Sequence, residues 1–191
     1  LGRIRRFQRE HSSRQVQSRW GYAKRLNMEL SRKIAAEITK YAVEYQADVI
    51  VFEYLEMQGK ISGKKKQKLH LWRKRDIQKL CEHQAHRNRI RVSRVSARNT
   101  SRLACDGSGA VVRNPENHSL CIFQTGKQYN CDLSATYNIG ARYFIRELLK
   151  PLPETERSSL EAKVPAVKRR TSCVYADLRK LYVEVNNLKA A

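Results

Sequence analysis

One carboxylate in the sequence stands where α/β proteins often bind metals or ligands. Glu53 directly follows residues 49–52, a run of large and mostly β-branched apolar side chains that predicts a strand covered on both faces. The carboxyl end of such a strand is where open α/β sheets place their ligands. A carboxylate there is costly unless it is paired, hydrogen-bonded or bound to a metal. An exposed strand-end glutamate, or one paired with an arginine, fits the same pattern.

A second carboxylate, Asp132, directly precedes a predicted helix that begins near Leu133. Asp is also a favoured N-cap, so a purely structural role would explain this position as well. Hydrolysis of a phosphodiester needs carboxylates that clamp two divalent ions about 4 Å apart. A strand-end Glu53 and a helix-start Asp132 could supply two of them. We take both as candidate catalytic and metal-binding residues, and we expect their carboxylates to lie within about 10 Å of each other.

The charge of the chain indicates a polyanionic partner. The 191 residues contain 39 Lys and Arg against 18 Asp and Glu, a formal net charge of +21. Residues 59–98 alone hold fourteen cations and two acids, which favours a nucleic-acid-binding groove. The candidates for phosphate contacts are Lys64, Lys65, Lys66, Lys68, Arg73 and Lys74. A basic structural protein would share the charge but would not explain Glu53 and Asp132.

The elements that must position these residues follow from apolar periodicity. A helix is predicted over about residues 19–46 and another over 69–87, and a short strand over 90–95 gives a strand-helix-strand unit with parallel strands. Residues 97–131 are rich in Asn, Ser, Gly and Thr, which indicates an irregular insertion or a small hairpin. Residues 1–18 are basic and could be a strand remnant or a helix.

Three segments, in this order, resemble a known family. Residues 49–55, then 91–95 with Asn99-Thr100-Ser101, then 132–139 (Asp-Leu-Ser-Ala-Thr-Tyr-Asn-Ile) are similar to the second and third RuvC segments of TnpB-like (OrfB family) transposon-encoded RNA-guided nucleases. Type V CRISPR effectors share that RuvC domain. The resemblance covers about residues 26–149, and the Asp-x-x-Ala-x-x-Asn-Ile segment is its most specific part.

The resemblance implies an α/β, RNase H-like (RuvC) nuclease fold, of which this chain is the C-terminal portion. By that likeness Glu53 is the second catalytic carboxylate and Asp132 the third, holding two Mg²⁺ or Mn²⁺ ions. The implied partners are a guide RNA and a target DNA. The corresponding domains are 1–150, a partial nuclease domain with the insertion 97–131, and 151–191, a linker with a C-terminal helix.

The first catalytic strand of the family, with its Asp, is missing from this sequence, because no acid in residues 1–18 occupies an equivalent place. Without the rest of a longer protein, the chain should hold metal weakly and cut poorly, since the ligand set for two cations is incomplete. The expected function is therefore a metal-dependent, RNA-guided DNA endonuclease of a transposon. The alternative is a nuclease-dead RNA-guided DNA-binding protein or repressor. A Gly-x-Asp encoded upstream would favour the nuclease.

The cysteines give the insertion a degenerate zinc-ribbon character. Many relatives carry two Cys-x-x-Cys pairs in this insertion, whereas here Cys105 and Cys121 each keep one cysteine of a pair. Cys105, His118, Cys121 and Cys131 could be assembled into a set, but their spacing is irregular, so we expect no zinc. Five cysteines without a disulfide framework, and no apolar segment of membrane-spanning length, fit a cytoplasmic protein.

The lysines of residues 59–68 give a first testable prediction. Replacing Lys64, Lys65 and Lys66 with Ala should weaken nucleic-acid binding and leave thermal stability nearly unchanged, since solvated charges contribute little to folding. The plot of log affinity against log salt should flatten by about 2 to 3 units if each Lys releases about one counterion. An unchanged slope with intact affinity would place the groove elsewhere, near Arg73, Lys74 and Arg87.

Overall fold

The computed structural model describes residues 2–11, 13–54, 74–169 and 171–190. The chain divides into two compact units. The first contains Leu1–Ile50 and Met57–Val92, and the second contains Val51–Glu56 and Ser93–Ala191. Helices and a small parallel sheet make the protein a member of the α/β class, which confirms that part of the predicted fold.

The first unit is mainly helical. Helix α1 spans Gly2–Glu10 and helix α2 spans Ser13–Glu44, so the basic N-terminal segment, which the sequence left open between strand and helix, is helical. Helix α3 spans Lys74–Arg87 and confirms the later part of the helix predicted over residues 69–87. Residues 69–73 lie outside the described residues.

Helix α2 packs on α3 through small side chains and not through its large apolar ones. Ala35, Thr39 and Ala42 are buried on α2, as are Cys81 and Ala85 on α3. The Thr39 hydroxyl donates to the Ala35 carbonyl (2.9 Å) and lies 3.6 Å from the Cys81 sulfur. Small residues allow two helix axes to approach closely. Large side chains of α2 are exposed in the described structure: Tyr22, Leu26, Leu30, Ile34, Tyr41 and Val43.

Two parallel strands carry the chain to Glu53. Strand β1 spans Val49–Tyr54 and strand β2 spans Arg91–Ser96, and they pair in a two-stranded sheet. The Arg91 amide donates to the Asp48 carbonyl (2.9 Å) where both strands begin. Glu53 and Ser96 therefore lie at the carboxyl ends of their strands, as predicted.

The insertion is more regular than the sequence indicated. Strands β3 (Val112–Arg113), β4 (Leu120–Ile122) and β5 (Gln128–Asn130) form a three-stranded antiparallel sheet in the order β3-β4-β5. A small core stabilises it, made of Ala104, Cys121, Phe123 and Cys131. Short strands of mixed polarity show little apolar alternation, which is why the sequence predicted only a loop or a hairpin here.

Helices form the rest of the second unit. Helix α4 spans Cys131–Leu149, helix α5 spans Glu154–Lys163, a 3₁₀ helix spans Pro165–Arg169, and helix α6 spans Tyr175–Ala190. They share one buried core, which contains Ile145, Leu149, Leu160, Val164, Val167, Cys173, Leu181 and Val185. None of the helices in the described ranges has the length and apolar character that would let it cross a membrane.

This core gives a stability prediction with a matched control. Leu181 is fully buried in α6, whereas Leu188 on the same helix is 37% exposed. Leu181→Ala should lower the free energy of unfolding by about 2–5 kcal/mol, because it leaves a cavity as well as losing apolar contact. Leu188→Ala should cost clearly less. Urea denaturation of the two variants measures the difference, and equal losses would contradict the position of this core.

Candidate active site

The Glu53 carboxylate is held by a threonine that follows β2. Glu53 is half-buried, and the Thr100 hydroxyl lies 2.5 Å from its Oε1. The same hydroxyl lies 3.1 Å from the Ala97 carbonyl oxygen. A threonine hydroxyl has a single proton to donate, and a carboxylate is the stronger acceptor. The shorter contact therefore identifies Glu53 as the principal acceptor.

A buried amide on α4 fixes the turn that carries Thr100. The Asn138 side-chain nitrogen donates to the carbonyls of Thr100 (3.0 Å) and Leu103 (2.9 Å). Its side-chain oxygen accepts from the amide of Tyr175 (3.1 Å), at the start of α6. Asn138 is 0% exposed, and these three bonds satisfy both donor protons and an acceptor of its amide. Thr100 is thus tied to α4 and α6.

Arg142, one helical turn after Asn138, connects β2 to the segment that precedes α6. Its guanidinium donates to the carbonyls of Ser96 (2.6 Å) and Cys173 (3.0 Å). Burial lowers the pKa of Arg142, and the charges of Cys173 and Glu53 act in the opposite direction. Its Nη2 is buried without a hydrogen-bond partner within the described part of the chain. A cation therefore lies within electrostatic range of the Glu53 carboxylate.

Asp132 is exposed in the first turn of α4 and does not cap the helix. The helix begins at Cys131, and the Asn130 side chain accepts from the amides of Asp132 and Leu133, each at 2.9 Å. The N-cap role considered for Asp132 from the sequence is therefore wrong, because Asn130 occupies that position. An acid in the first turn still interacts favourably with the helix dipole. Capping no longer explains why an Asp is needed here.

The structure connects the two candidate carboxylates through α4. Glu53 contacts Thr100, Thr100 is held by Asn138, and Asp132 lies earlier on the same helix. Both offer the hard oxygen ligands that Mg²⁺ and Mn²⁺ prefer. Across the described ranges, no three His, Cys, Asp or Glu side chains form a group suited to a metal ion. The two carboxylates have the oxygen donors that such an ion prefers, and their approach to one shared ion stays a prediction.

Most candidate phosphate-binding residues lie outside the described residues. These are Lys64, Lys65, Lys66, Lys68 and Arg73, while Lys74 is the first residue of α3. The later part of the basic segment is described, and Lys79, Arg87 and Arg89 are exposed there. These three cations of the basic segment therefore lie on the surface of the first unit.

The cysteines of the insertion lie together in its small core. Cys121 and Cys131 are buried, and Cys105 packs against them. Burial, with Cys131 as the next contribution, raises the pKa of Cys121 to about 11. His118 is exposed. The Cys121 thiol is therefore a weaker acid than an ordinary cysteine in this structure. Whether the cluster binds zinc stays a prediction.

Comparison with known proteins supports the fold. The sequence matches no family profile and no curated protein. A chain in the cryo-EM structure of the Cas12f1-sgRNA-target DNA complex has a similar fold, with a TM-score of 0.52 and 17% sequence identity. The match covers 72% of this chain and 40% of that chain, so this chain spans about two fifths of the solved one. At this identity the likeness shows the fold alone.

The sequence suggested Glu53 and Asp132 as candidates, but it assigned no role to the residues that hold Glu53. Thr100 and Asn138 lie within the segments that resemble the nuclease family, and Arg142 lies just beyond them. A signal was present, because Asn138 and Arg142 are polar and four residues apart on the buried face of α4, beside Ala135 and Ala141. Polar residues within a buried stripe require hydrogen-bond partners, which only the fold reveals.

The cysteine cluster gives a third prediction. Protein purified without chelator should contain well under one equivalent of zinc by elemental analysis, because a tetrahedral site needs four N or S ligands. The native Cys121 thiol should also react slowly with iodoacetamide at pH 8, owing to its burial and raised pKa. Unfolding in urea should restore fast alkylation. Stoichiometric zinc, or thiols protected until a chelator is added, would contradict this interpretation.

Proposed function

We propose that this chain is the C-terminal part of a RuvC-type, RNase H-like nuclease domain in a TnpB-like, RNA-guided DNA endonuclease. One observation carries the proposal: Glu53, at the carboxyl end of a parallel strand, is oriented by Thr100 and linked through Asn138 to the helix that begins with Asp132. The resemblance of the three sequence segments and the similarity to the Cas12f1 fold both support it.

The proposed chemistry is hydrolysis of a DNA phosphodiester. Divalent ions at such a site, Mg²⁺ or Mn²⁺, polarise the phosphate and stabilise the attacking and leaving oxygens. Glu53 and Asp132 would bind these ions as two members of the ligand set. Thr100 fixes the orientation of the Glu53 carboxylate, and Arg142 adds positive charge nearby.

The proposed partners are a guide RNA and a target DNA. Cas12f1 was solved with an sgRNA and target DNA, and the net charge of +21 favours polyanions. Lys64, Lys65, Lys66, Lys68, Arg73 and Lys74 are the proposed phosphate contacts. Phosphate contacts give affinity without sequence choice, which guide pairing would supply.

A nuclease-dead RNA-guided binding protein is the second candidate. It is favoured by the net charge of +21, which supports binding of nucleic acid whether or not DNA is cut. The scaffold around Thr100, Asn138 and Arg142 would then maintain the fold without supporting catalysis. Cleavage assays separate the two functions, because both predict guided DNA binding and only one predicts cutting.

The decisive variants are Glu53→Gln and Asp132→Asn in the full-length protein. RNA that copurifies with the protein is sequenced, and DNA matching it is incubated with the complex and Mg²⁺. Each variant should reduce cleavage by at least about 100-fold, since even outer-shell changes at metal sites cost about 10–100-fold. DNA binding should persist.

Glu154→Gln is the matched control, because Glu154 is an exposed acid of α5 paired with Arg157 (3.1 Å). It should cut like the unmodified protein. Guided binding with no cleavage by the unmodified protein would establish the nuclease-dead alternative. Undiminished cleavage by Glu53→Gln would refute the assignment of the site.

A further inference from the structure

We infer that Thr100 is a positioning residue for Glu53, and that the start of α6 belongs to the scaffold of the site. This inference rests on the proposed function. It adds residues that position the Glu53 carboxylate but do not themselves contact the reacting atoms. Its basis is a continuous set of hydrogen bonds from Glu53 through Thr100 and Asn138 to Tyr175.

The Thr100 hydroxyl restricts the orientation of the Glu53 carboxylate directly. A free carboxylate rotates about its terminal bond, because torsions of this kind have broad energy wells. A donor fixed 2.5 Å from Oε1 selects one orientation of the carboxylate plane. Threonine suits this role because its β-branched side chain has few χ1 choices. Its contact with the Ala97 carbonyl further limits where the hydroxyl can point.

Asn138 in turn fixes the backbone of Thr100. Asn138 binds the carbonyls of Thr100 and Leu103, so both ends of the turn after β2 are attached to one rigid helix. Asn99 adopts a φ of 61°, a left-handed conformation that Asn tolerates better than most residues. Thr100 is 2% exposed. Packing and hydrogen bonds thus leave it little freedom to move relative to Glu53.

Backbone contacts of residues 173–176 extend the scaffold to the C-terminal region. The Tyr175 amide donates to Asn138, the Cys173 carbonyl accepts from Arg142, and the Ala176 amide donates to the Cys105 carbonyl (3.0 Å). Every contact involves the backbone of residues 173–176, so it depends on the position of α6 and little on side-chain identity. Residues 151–191, expected from sequence to be a linker and a helix, contribute to holding Glu53.

The test compares Thr100→Val, which keeps the side-chain shape but removes the donor, with Thr100→Ser, which retains the hydroxyl. Binding of Mn²⁺ to the purified full-length protein is measured by electron paramagnetic resonance, and the Mg²⁺ concentration for half-maximal cleavage is measured in parallel. Thr100→Val should weaken Mn²⁺ binding by about 10–100-fold, as is usual for lost outer-shell bonds. The Mn²⁺ affinity of Thr100→Ser should remain within about threefold of that of the unmodified protein, which is a much smaller change than outer-shell substitutions usually cause.

Thr39→Val is the matched control, since Thr39 is also buried and donates to a backbone carbonyl, but in the first unit. It should lower thermal stability without changing Mn²⁺ affinity. If Thr100→Val does not fold, Thr100→Ala serves as the donor-free variant. Thr100→Ser alone also remains decisive, because a large loss of Mn²⁺ affinity in that variant would overturn the inference.

The outcomes separate this inference from the proposed function. If Glu53→Gln abolishes Mn²⁺ binding while Thr100→Val binds it normally, Thr100 does not position the carboxylate and the proposed function stands. If Glu53→Gln changes neither Mn²⁺ binding nor cleavage, the proposed metal site itself fails. Weakened Mn²⁺ binding in both Glu53→Gln and Thr100→Val, with recovery in Thr100→Ser, is the result expected.

Discussion

The buried amide of Asn138 is the interaction on which the organisation of the second unit depends. It joins three pieces of chain: the turn after β2, helix α4 and the first residues of α6. A buried amide that lost these partners would carry unsatisfied donors and an unsatisfied acceptor, at a cost of about 1–3 kcal/mol for each group. The fold therefore specifies one arrangement of these pieces. Because Thr100 lies in one of them and binds Glu53, this arrangement also fixes the orientation of the Glu53 carboxylate.

Arg142 strengthens the same arrangement at an electrostatic cost. Removing a guanidinium from water is expensive unless its protons find acceptors. Two backbone carbonyls, of Ser96 and Cys173, accept from it, and Glu53 is close enough to affect its pKa. A cation beside a candidate metal ligand supplies positive charge that is independent of ion binding. This helps to explain how a carboxylate can be half-buried at the end of β1.

The helices of the first unit pack through a different kind of side chain. Its helices α2 and α3 approach through Ala, Thr and Cys, and the large side chains of α2 remain exposed in the described structure. Apolar spacing identified α2 correctly as a helix, and the side chains that α2 buries against α3 are small ones. Small side chains contribute little to a hydrophobic pattern, yet they decide how closely two helices can approach. The basic surface of this unit, at Lys79, Arg87 and Arg89, is what the charge of the segment predicts.

The sequence by itself determined helix α2, the later part of helix α3, the strand-helix-strand unit and the position of Glu53 at a strand end, because periodicity and local propensity are properties of neighbouring residues. It left α1 open and did not predict helix α5, which lies in the expected linker. It also provided the family resemblance that suggested Asp132 as a candidate. Only the tertiary structure decided that Thr100 binds Glu53 and that the backbones of Tyr175 and Cys173 bind Asn138 and Arg142. Those facts depend on partners up to 47 positions apart in the chain. Such pairings are set by the packing of whole elements, and no local pattern of residue types encodes them.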